Sequence, residues 1–250
     1  MTTTGGVHLT NLEVVFLDHT CLFHNFNLKI LHHEFLCLFG PSGSGKTTLL
    51  HMMAGLSQPT HGMVKFIDPS GQVLSAPRIG YVFQEPRLLP WKTVWENVGL
   101  VYQNTTGKER SKYIDSLLRL VHAEHLKNRF PSEISGGEKQ RVGIARALAV
   151  SPDFLLMDEP FGHLDYLTAT TLRGELLHIM RTTKITTVFA THNPLEAIFL
   201  ADRIVVLSKN KPTKIKETID VNISKSRDKN LYLDLISLRK TKRILERLLY

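Results

Sequence analysis

Short apolar runs, bounded by glycine, proline and polar residues, alternate along the chain with longer stretches whose apolar positions recur at helical spacing. Residues 7–16 and 26–30 read as strands, and the unbroken run 35–39, Phe-Leu-Cys-Leu-Phe, reads as a strand buried on both faces. A helix-like segment follows at 49–54, then a Gly-, Pro- and Ser-rich turn region over 55–62. Two short strands at 63–67 and 71–74 flank Asp68-Pro69-Ser70-Gly71, a good hairpin turn. Residues 78–83, 154–157 and 185–190 read as further strands. Between them, residues 95–121 contain no convincing strand, and Tyr113, Ile114, Leu117, Leu118 and Val121 share one helical face after a break at 104–107. The pattern predicts a strand-rich core interrupted by a helical insertion. Residues 231–250 again show helical spacing, with Leu231, Leu235, Leu238, Leu245 and Leu248 separated by basic residues; the segment either packs on its own domain or meets a membrane surface or a partner helix.

The strand at 35–39 runs directly into Gly40-Pro41-Ser42-Gly43-Ser44-Gly45-Lys46-Thr47-Thr48, and a helix follows. Strand, glycine-rich turn and helix are the setting that the G-x-x-x-x-G-K-[ST] pattern requires. Glycine lets the backbone adopt positive φ and approach a ligand, so that several N–H groups converge on one anion at the positive end of a helix. The simplest such anion is a nucleotide phosphate. Lys46 is then placed to reach the outer phosphates, and the Thr47 hydroxyl to ligate a bridging Mg²⁺.

Other polar groups fall where the same chemistry would use them. Ser135-Gly136-Gly137-Glu138 opens a second helix, giving an N-cap hydroxyl and a second anion-seeking helix end, or simply a capped turn. Asp158 and Glu159 follow four apolar residues, which puts two carboxylates at a strand's carboxyl end: one to hold Mg²⁺ and the other to orient or deprotonate a water. Gln84 and His192 also stand at strand ends, as a metal or water contact and a γ-phosphate contact respectively, the alternative for His192 being a structural side chain. Phe16 is either a base-stacking aromatic or a core residue. Leu88-Leu89-Pro90-Trp91 is apolar but broken by proline, and reads as surface kept for a partner rather than as core helix.

Composition narrows the classes. The chain has 250 residues, enough for a large α/β domain or a core with a subdomain. Its two cysteines are far apart, which argues for a reducing compartment without a disulfide. No signal-peptide pattern opens the sequence, and no apolar run approaches the roughly 18–20 residues needed to span a bilayer. The net charge of +8 admits nucleic acid, an anionic membrane surface or a merely solvated surface, and much of the excess lies beyond Lys209. The 12 histidines are scattered, and the His32-His33 pair has no Cys or carboxylate cluster at metal spacing, so no metal site is read from them.

Taken in order, phosphate loop, Gln84, Ser-Gly-Gly, Asp-Glu and His192, the chain resembles the ATP-binding subunits of ABC transporters, from about residue 7 to residue 208. The resemblance implies a P-loop NTPase core, α/β with a mixed sheet and an N-terminal antiparallel β part, plus an inserted helical subdomain. It implies core segments at 1–86 and 151–210, a helical subdomain at 87–150, and a basic, helical extension at 211–250. By it, Gly40 to Thr48 is the Walker A loop and Gln84 the Q-loop. Ser135 to Glu138 is the signature, Asp158 ends the Walker B strand, and Glu159 is the catalytic base. Asp165 is the D-loop acid, His192 the switch histidine, and Phe16 the adenine-stacking aromatic. The signature reads Ile-Ser-Gly-Gly-Glu where Leu-Ser-Gly-Gly-Gln is commoner, and His163 replaces a small D-loop residue. Residues 82–91, 158–162 and 196–203 look most like the nitrate, sulfonate and taurine type of bacterial importer.

The resemblance further implies ATP and Mg²⁺ as cofactors and a head-to-tail pair of copies around ATP. It implies a separate membrane permease, a solute-binding protein in the full system, and a place on the inner face of the cell membrane, with no nucleic-acid partner. The competing classes are an exporter ATPase and a nucleic-acid-handling relative, but the long coiled-coil or zinc-bearing insertions of the latter are absent. Asn210-Lys211-Pro212-Thr213 lacks the Asp of a guanine-reading motif, which argues against a GTPase.

Overall fold

The computed structural model describes residues 5–102, 107–162 and 164–221. Its elements, in chain order, are β1 (Gly6–Val15), β2 (Cys21–Leu31), β3 (Phe35–Phe39), α1 (Lys46–Met53), β4 (His61–Ile67), β5 (Val73–Leu74), β6 (Ile79–Val82), α2 (Val94–Gly99), α3 (Gly107–Leu120), α4 (Gly136–Leu148), β7 (Phe154–Asp158), α5 (Tyr166–Thr183), β8 (Thr186–Thr191), α6 (Pro194–Leu200), β9 (Arg203–Leu207) and β10 (Ile215–Asp220). These divide into two compact units: the described parts of Met1–Ala76 and Thr186–Tyr250 form one, and those of Pro77–Ile185 the other.

In the first unit, β2, β1, β4 and β5 make an antiparallel sheet in that order. The β1–β2 ladder shifts register three times between Leu9 and Val15. Asn11 and Asn25 both take left-handed backbone there, a conformation asparagine tolerates better than most residues, and the shift between Leu9 and Leu12 lets both of these leucines, three residues apart, face the core. The Asp68 turn closes β4 onto β5 as expected: Gly71 N–H donates to Asp68 O at 3.0 Å and Asp68 N–H to Gln72 O at 2.9 Å.

A second group of strands in this unit has β3 at its centre, parallel to both β8 and β9, with β10 antiparallel at the edge of β9. All five residues of β3 are buried, which is why its sequence is a continuous apolar run rather than an alternating one. Burial pushes the Cys37 thiol well above its ordinary value, as for a small buried hydrophobe. At the start of β9, Arg203 Nε donates to Glu34 Oε1 at 2.5 Å and Nη2 to Oε2 at 2.9 Å, while Glu34 Oε2 also accepts from Leu31 N–H at 2.6 Å.

In the second unit, β6 lies parallel to β7, and α2, α3, α4 and α5 supply the helical part. Ile114, Leu117, Leu118 and Val121 are buried, so the predicted face of α3 is the one that packs. Each of α2, α4 and α5 opens on a side-chain cap, from Thr93, Ser135 and Asp165. Helices α5 and α6 and strands β9 and β10 are additions to the elements that the sequence pattern predicts. Part of the extension expected to be helical is instead β10, whose mostly exposed edge gives no apolar run to detect. The helix expected over 231–250 and the His163 position lie outside the described residues.

Candidate functional site

The first unit holds the phosphate-loop candidate. β3 ends at Phe39, and α1 begins at Lys46 with Gly45 as its N-cap at φ 88°. No side chain caps α1 and no acidic residue lies in its first turn, so this helix end keeps its positive potential for something other than its own chain. Gly43 is also left-handed, at φ 80°, and a Cβ there would meet nothing within 4 Å, leaving the loop open on that side. Lys46 is buried, and its Nζ donates to Gly40 O at 2.8 Å and Pro41 O at 3.1 Å, so the loop's carbonyls hold the ammonium in place. Ser44 Oγ is buried with no hydrogen-bond partner among the described residues, a donor inside the cradle that a phosphate oxygen would satisfy. Ser42 and Thr47 are exposed, with Thr48 beside them half-buried. On these observations the loop fits a phosphate group.

The same unit carries His192 and Phe16. His192 is exposed just after β8, in a turn held by buried Glu196. Thr191 Oγ1 donates to Glu196 Oε2 at 2.5 Å, Asn193 N–H donates to Thr191 Oγ1 at 3.0 Å, and Asn193 Oδ1 caps α6 by accepting from Leu195 N–H at 2.9 Å. Phe16 lies past the end of β1, 43% exposed, with Lys211 Nζ 5.9 Å from its ring centre. It is therefore not a core residue.

The second unit gathers the remaining candidates. Asp158 ends the fully buried β7 and is itself buried. Glu159 takes left-handed backbone, φ 41°, an unfavourable setting for a glutamate that turns the chain sharply out of the strand. A Cβ built on Gly162 would lie 3.7 Å from Glu159 Oε2 and 3.9 Å from Gln84 Nε2, so the Glu159 carboxylate and the Gln84 amide converge on one small residue. A cavity of about 240 Å³ is lined by Gln84, Pro86, Gly136, Gln140, Pro160 and Leu164 among others, joining the segment after β6 to the start of α4.

Ser135 and Glu138 cap α4 reciprocally: Ser135 Oγ accepts from Glu138 N–H at 3.3 Å, and Glu138 Oε2 accepts from Ser135 N–H at 2.7 Å. That backbone hydrogen bond from Ser135 leads the causes that lower the pKa of the Glu138 carboxyl. Gly136 is open, whereas a Cβ on Gly137 would meet Thr168 Cγ2 at 2.5 Å. Asp165 accepts from Thr168 N–H at 3.0 Å and Leu167 N–H at 3.1 Å, and hydrogen bonds led by Thr168 hold its carboxyl below the ordinary value.

The residues that fix these candidates in place carry no motif of their own. Arg146, on α4, donates from Nη1 to Arg87 O at 2.9 Å and from Nη2 to Pro86 O, while Gln140 Nε2 donates to Phe83 O at 3.5 Å. Together they tie the segment after β6 to α4. Gln140 is buried and Arg146 half-buried, so a polar side chain on the packed side of α4 was the available signal. Trp91 is 71% exposed as expected, but Leu88 and Leu89 are half-buried and Leu89 is pinned by Asn97, whose Oδ1 accepts from Leu89 N–H at 2.7 Å.

Residues 23–162 match the family model described as ABC transporter. The chain belongs to the ABC transporter family. A sulfate/thiosulfate import ATP-binding protein of Xanthomonas campestris pv. campestris is 41% identical over 214 residues, covering 82% of this chain and 62% of that protein. The chain therefore spans less than two thirds of that relative's length. A nitrate import ATP-binding protein of Synechococcus elongatus is 37% identical over 212 residues, covering 83% of this chain and 77% of that one. Among solved structures, a dimeric ATP-binding cassette in a post-hydrolysis state bound to ADP and Pi superposes with a TM-score of 0.76 at 30% identity, covering 87% of this chain and all of that chain. The fold is accordingly that of the P-loop NTPases, and the chain is an ABC-type ATPase. No helix among the described residues is long and apolar enough to cross a membrane.

Proposed function

We propose that this ABC cassette is the ATP-hydrolysing subunit of an importer, pairing with a second copy around ATP and driving a separate membrane permease from the cytoplasmic side. The observation that carries the reading is the loop between β3 and α1: an uncapped helix end, two left-handed glycines and a buried lysine held by the loop's own carbonyls. The backbone amides and Lys46 bind the phosphates, with Gly40, Pro41, Ser42, Gly43, Ser44, Gly45 and Thr48 shaping the loop. Phe16, exposed in the same unit as the loop, stacks on adenine. Thr47, Asp158 and Gln84 offer the oxygen donors that suit Mg²⁺, which when bound neutralises phosphate charge. Glu159 accepts the proton of the attacking water, His192 hydrogen-bonds the γ-phosphate, and Gln84 relays nucleotide state toward the permease.

Ser135, Gly136, Gly137 and Glu138 of one copy contact the nucleotide held by the other, as expected for a twofold pair; the dimeric cassette with ADP and Pi supports this. Import of a small oxyanion or sulfonate-like solute, such as nitrate, sulfonate or taurine, is supported by the sulfate/thiosulfate and nitrate relatives. A solute-binding protein completes such a system. The deciding experiment is Glu159→Gln in the purified full chain reconstituted with its permease. ATP binding should persist while turnover falls by about 10²-fold or more, the lower range expected for loss of a general base; wild-type turnover would remove Glu159 from the role. Lys46→Ala should weaken ATP binding, and an unchanged dissociation constant would contradict the phosphate role.

A further inference from the structure

Outside the nucleotide machinery, the β1–β2 hairpin brings together Glu13, Cys21 and His24, each offering one ligand atom, with all three atoms within 4.8 Å of one another. In a regular strand Cys21 and His24, three residues apart, would point to opposite faces. Here Leu22 and Phe23 are both buried in succession, so the alternation breaks between them and Cys21 and His24 emerge on the same outer side. The register shifts at Val14 and Val15 bring Glu13 to meet them. His24 Nδ1 already lies 3.2 Å from Glu13 Oε1. The Cys21 Sγ is 3.3 Å from Phe23 O.

We propose that Glu13, Cys21 and His24 form a three-ligand site for a late first-row divalent cation of the zinc type, with water completing a tetrahedral shell. A thiolate, an imidazole and one carboxylate suit zinc or cobalt and not magnesium, so this site is chemically distinct from the Mg²⁺ that accompanies ATP. Bonds of about 2.0–2.3 Å place tetrahedral ligands about 3.3–3.8 Å apart, so a pair at the full 4.8 Å closes by about 1 Å, which side-chain rotation of exposed His24 and of half-buried Cys21 and Glu13 supplies. Binding balances as Cys21–SH plus M²⁺ giving the Cys21–S–M bond plus one proton released to solvent. The cation bridges Glu13, Cys21 and His24 and staples β1 to β2 where Val15 pairs with Cys21, at the last rung before the turn that carries Phe16.

The test uses the reduced full chain without nucleotide, titrated with Co²⁺ alone. Wild type should show a thiolate-to-cobalt charge-transfer band saturating at one equivalent and displaced by Zn²⁺. Because the chain has only two cysteines, the band has two possible sources. Cys21→Ser should abolish it, and Cys37→Ser, at a residue fully buried in β3, should leave it unchanged. His24→Ala, at an exposed position where folding is not at stake, should weaken binding by at least the about 10–100-fold that loss of even an outer-shell partner costs. Absence of the band in wild type, its survival in Cys21→Ser, or unchanged affinity in His24→Ala would each overturn the site.

Discussion

Gly45 carries two separable constraints, and replacing it by alanine measures both. Its φ of 88° places it in the left-handed region, where a Cβ costs about 1–2 kcal/mol. The added Cβ would also stand 2.5 Å from Phe23 Cζ, 3.0 Å from Phe23 Cε2 and 3.2 Å from Leu22 Cδ2. Phe23 has nowhere to go, being fully buried with its ring centre 4.9 Å from that of Phe26. Relieving such a clash costs a further about 1–3 kcal/mol, for a total of about 2–5 kcal/mol. Gly43→Ala is the control, since its φ of 80° incurs the backbone term while its Cβ meets nothing within 4 Å. The assay is urea unfolding of the full chain without nucleotide, so that lost ATP binding does not enter. Gly45→Ala should be less stable than Gly43→Ala by about 1–3 kcal/mol, and in a Phe23→Leu background the excess should shrink toward zero, since neighbours in contact are not additive. Equal costs for the two alanines, or an excess indifferent to Phe23, would refute the packing argument.

Three further outcomes follow from the same geometry. Arg203→Met strands the buried Glu34 carboxylate and should cost about 3–5 kcal/mol, read as a fall in unfolding midpoint, with Glu34→Met added in the same chain restoring much of it. Glu138 has its folded pKa lowered from 4.5, so its capping contribution is complete above that value and is lost as pH falls through the folded one. The stability gap between wild type and Glu138→Gln should therefore be flat at neutral pH and narrow in acid; a gap that widened on acidification would contradict the cap. Trp91→Ala, at a 71% exposed side chain, should leave the midpoint within about 0.5 kcal/mol of wild type yet lose co-purification with the permease, and wild-type recovery of the complex would count against a docking role.

Where structure follows from neighbours in the chain, the sequence was enough. The phosphate loop, the Ser135 cap, the Asp68 turn and the buried run of β3 each depend on side chains and backbone within a few residues, and periodicity and turn chemistry report such local preferences directly. The amphipathic face of α3 was legible for the same reason.

What the sequence left open depends on register and on distance along the chain. Glu34 meets Arg203 across 169 positions, and Arg146 reaches Pro86 across 60. The edge strand β10 is held through its ladder with β9 rather than by apolar residues of its own. Phe23 decides what Gly45 tolerates, and the bulged β1–β2 ladder decides that Glu13, Cys21 and His24 share a face. No period of 2 or 3.6 encodes these contacts, because a bulge shifts the alternation and a cross-strand neighbour is chosen only when the sheet forms. The chain thus specified the turn between β3 and α1 locally, while tertiary packing chose the distant partners, Arg203 for Glu34 and Phe23 for Gly45 among them.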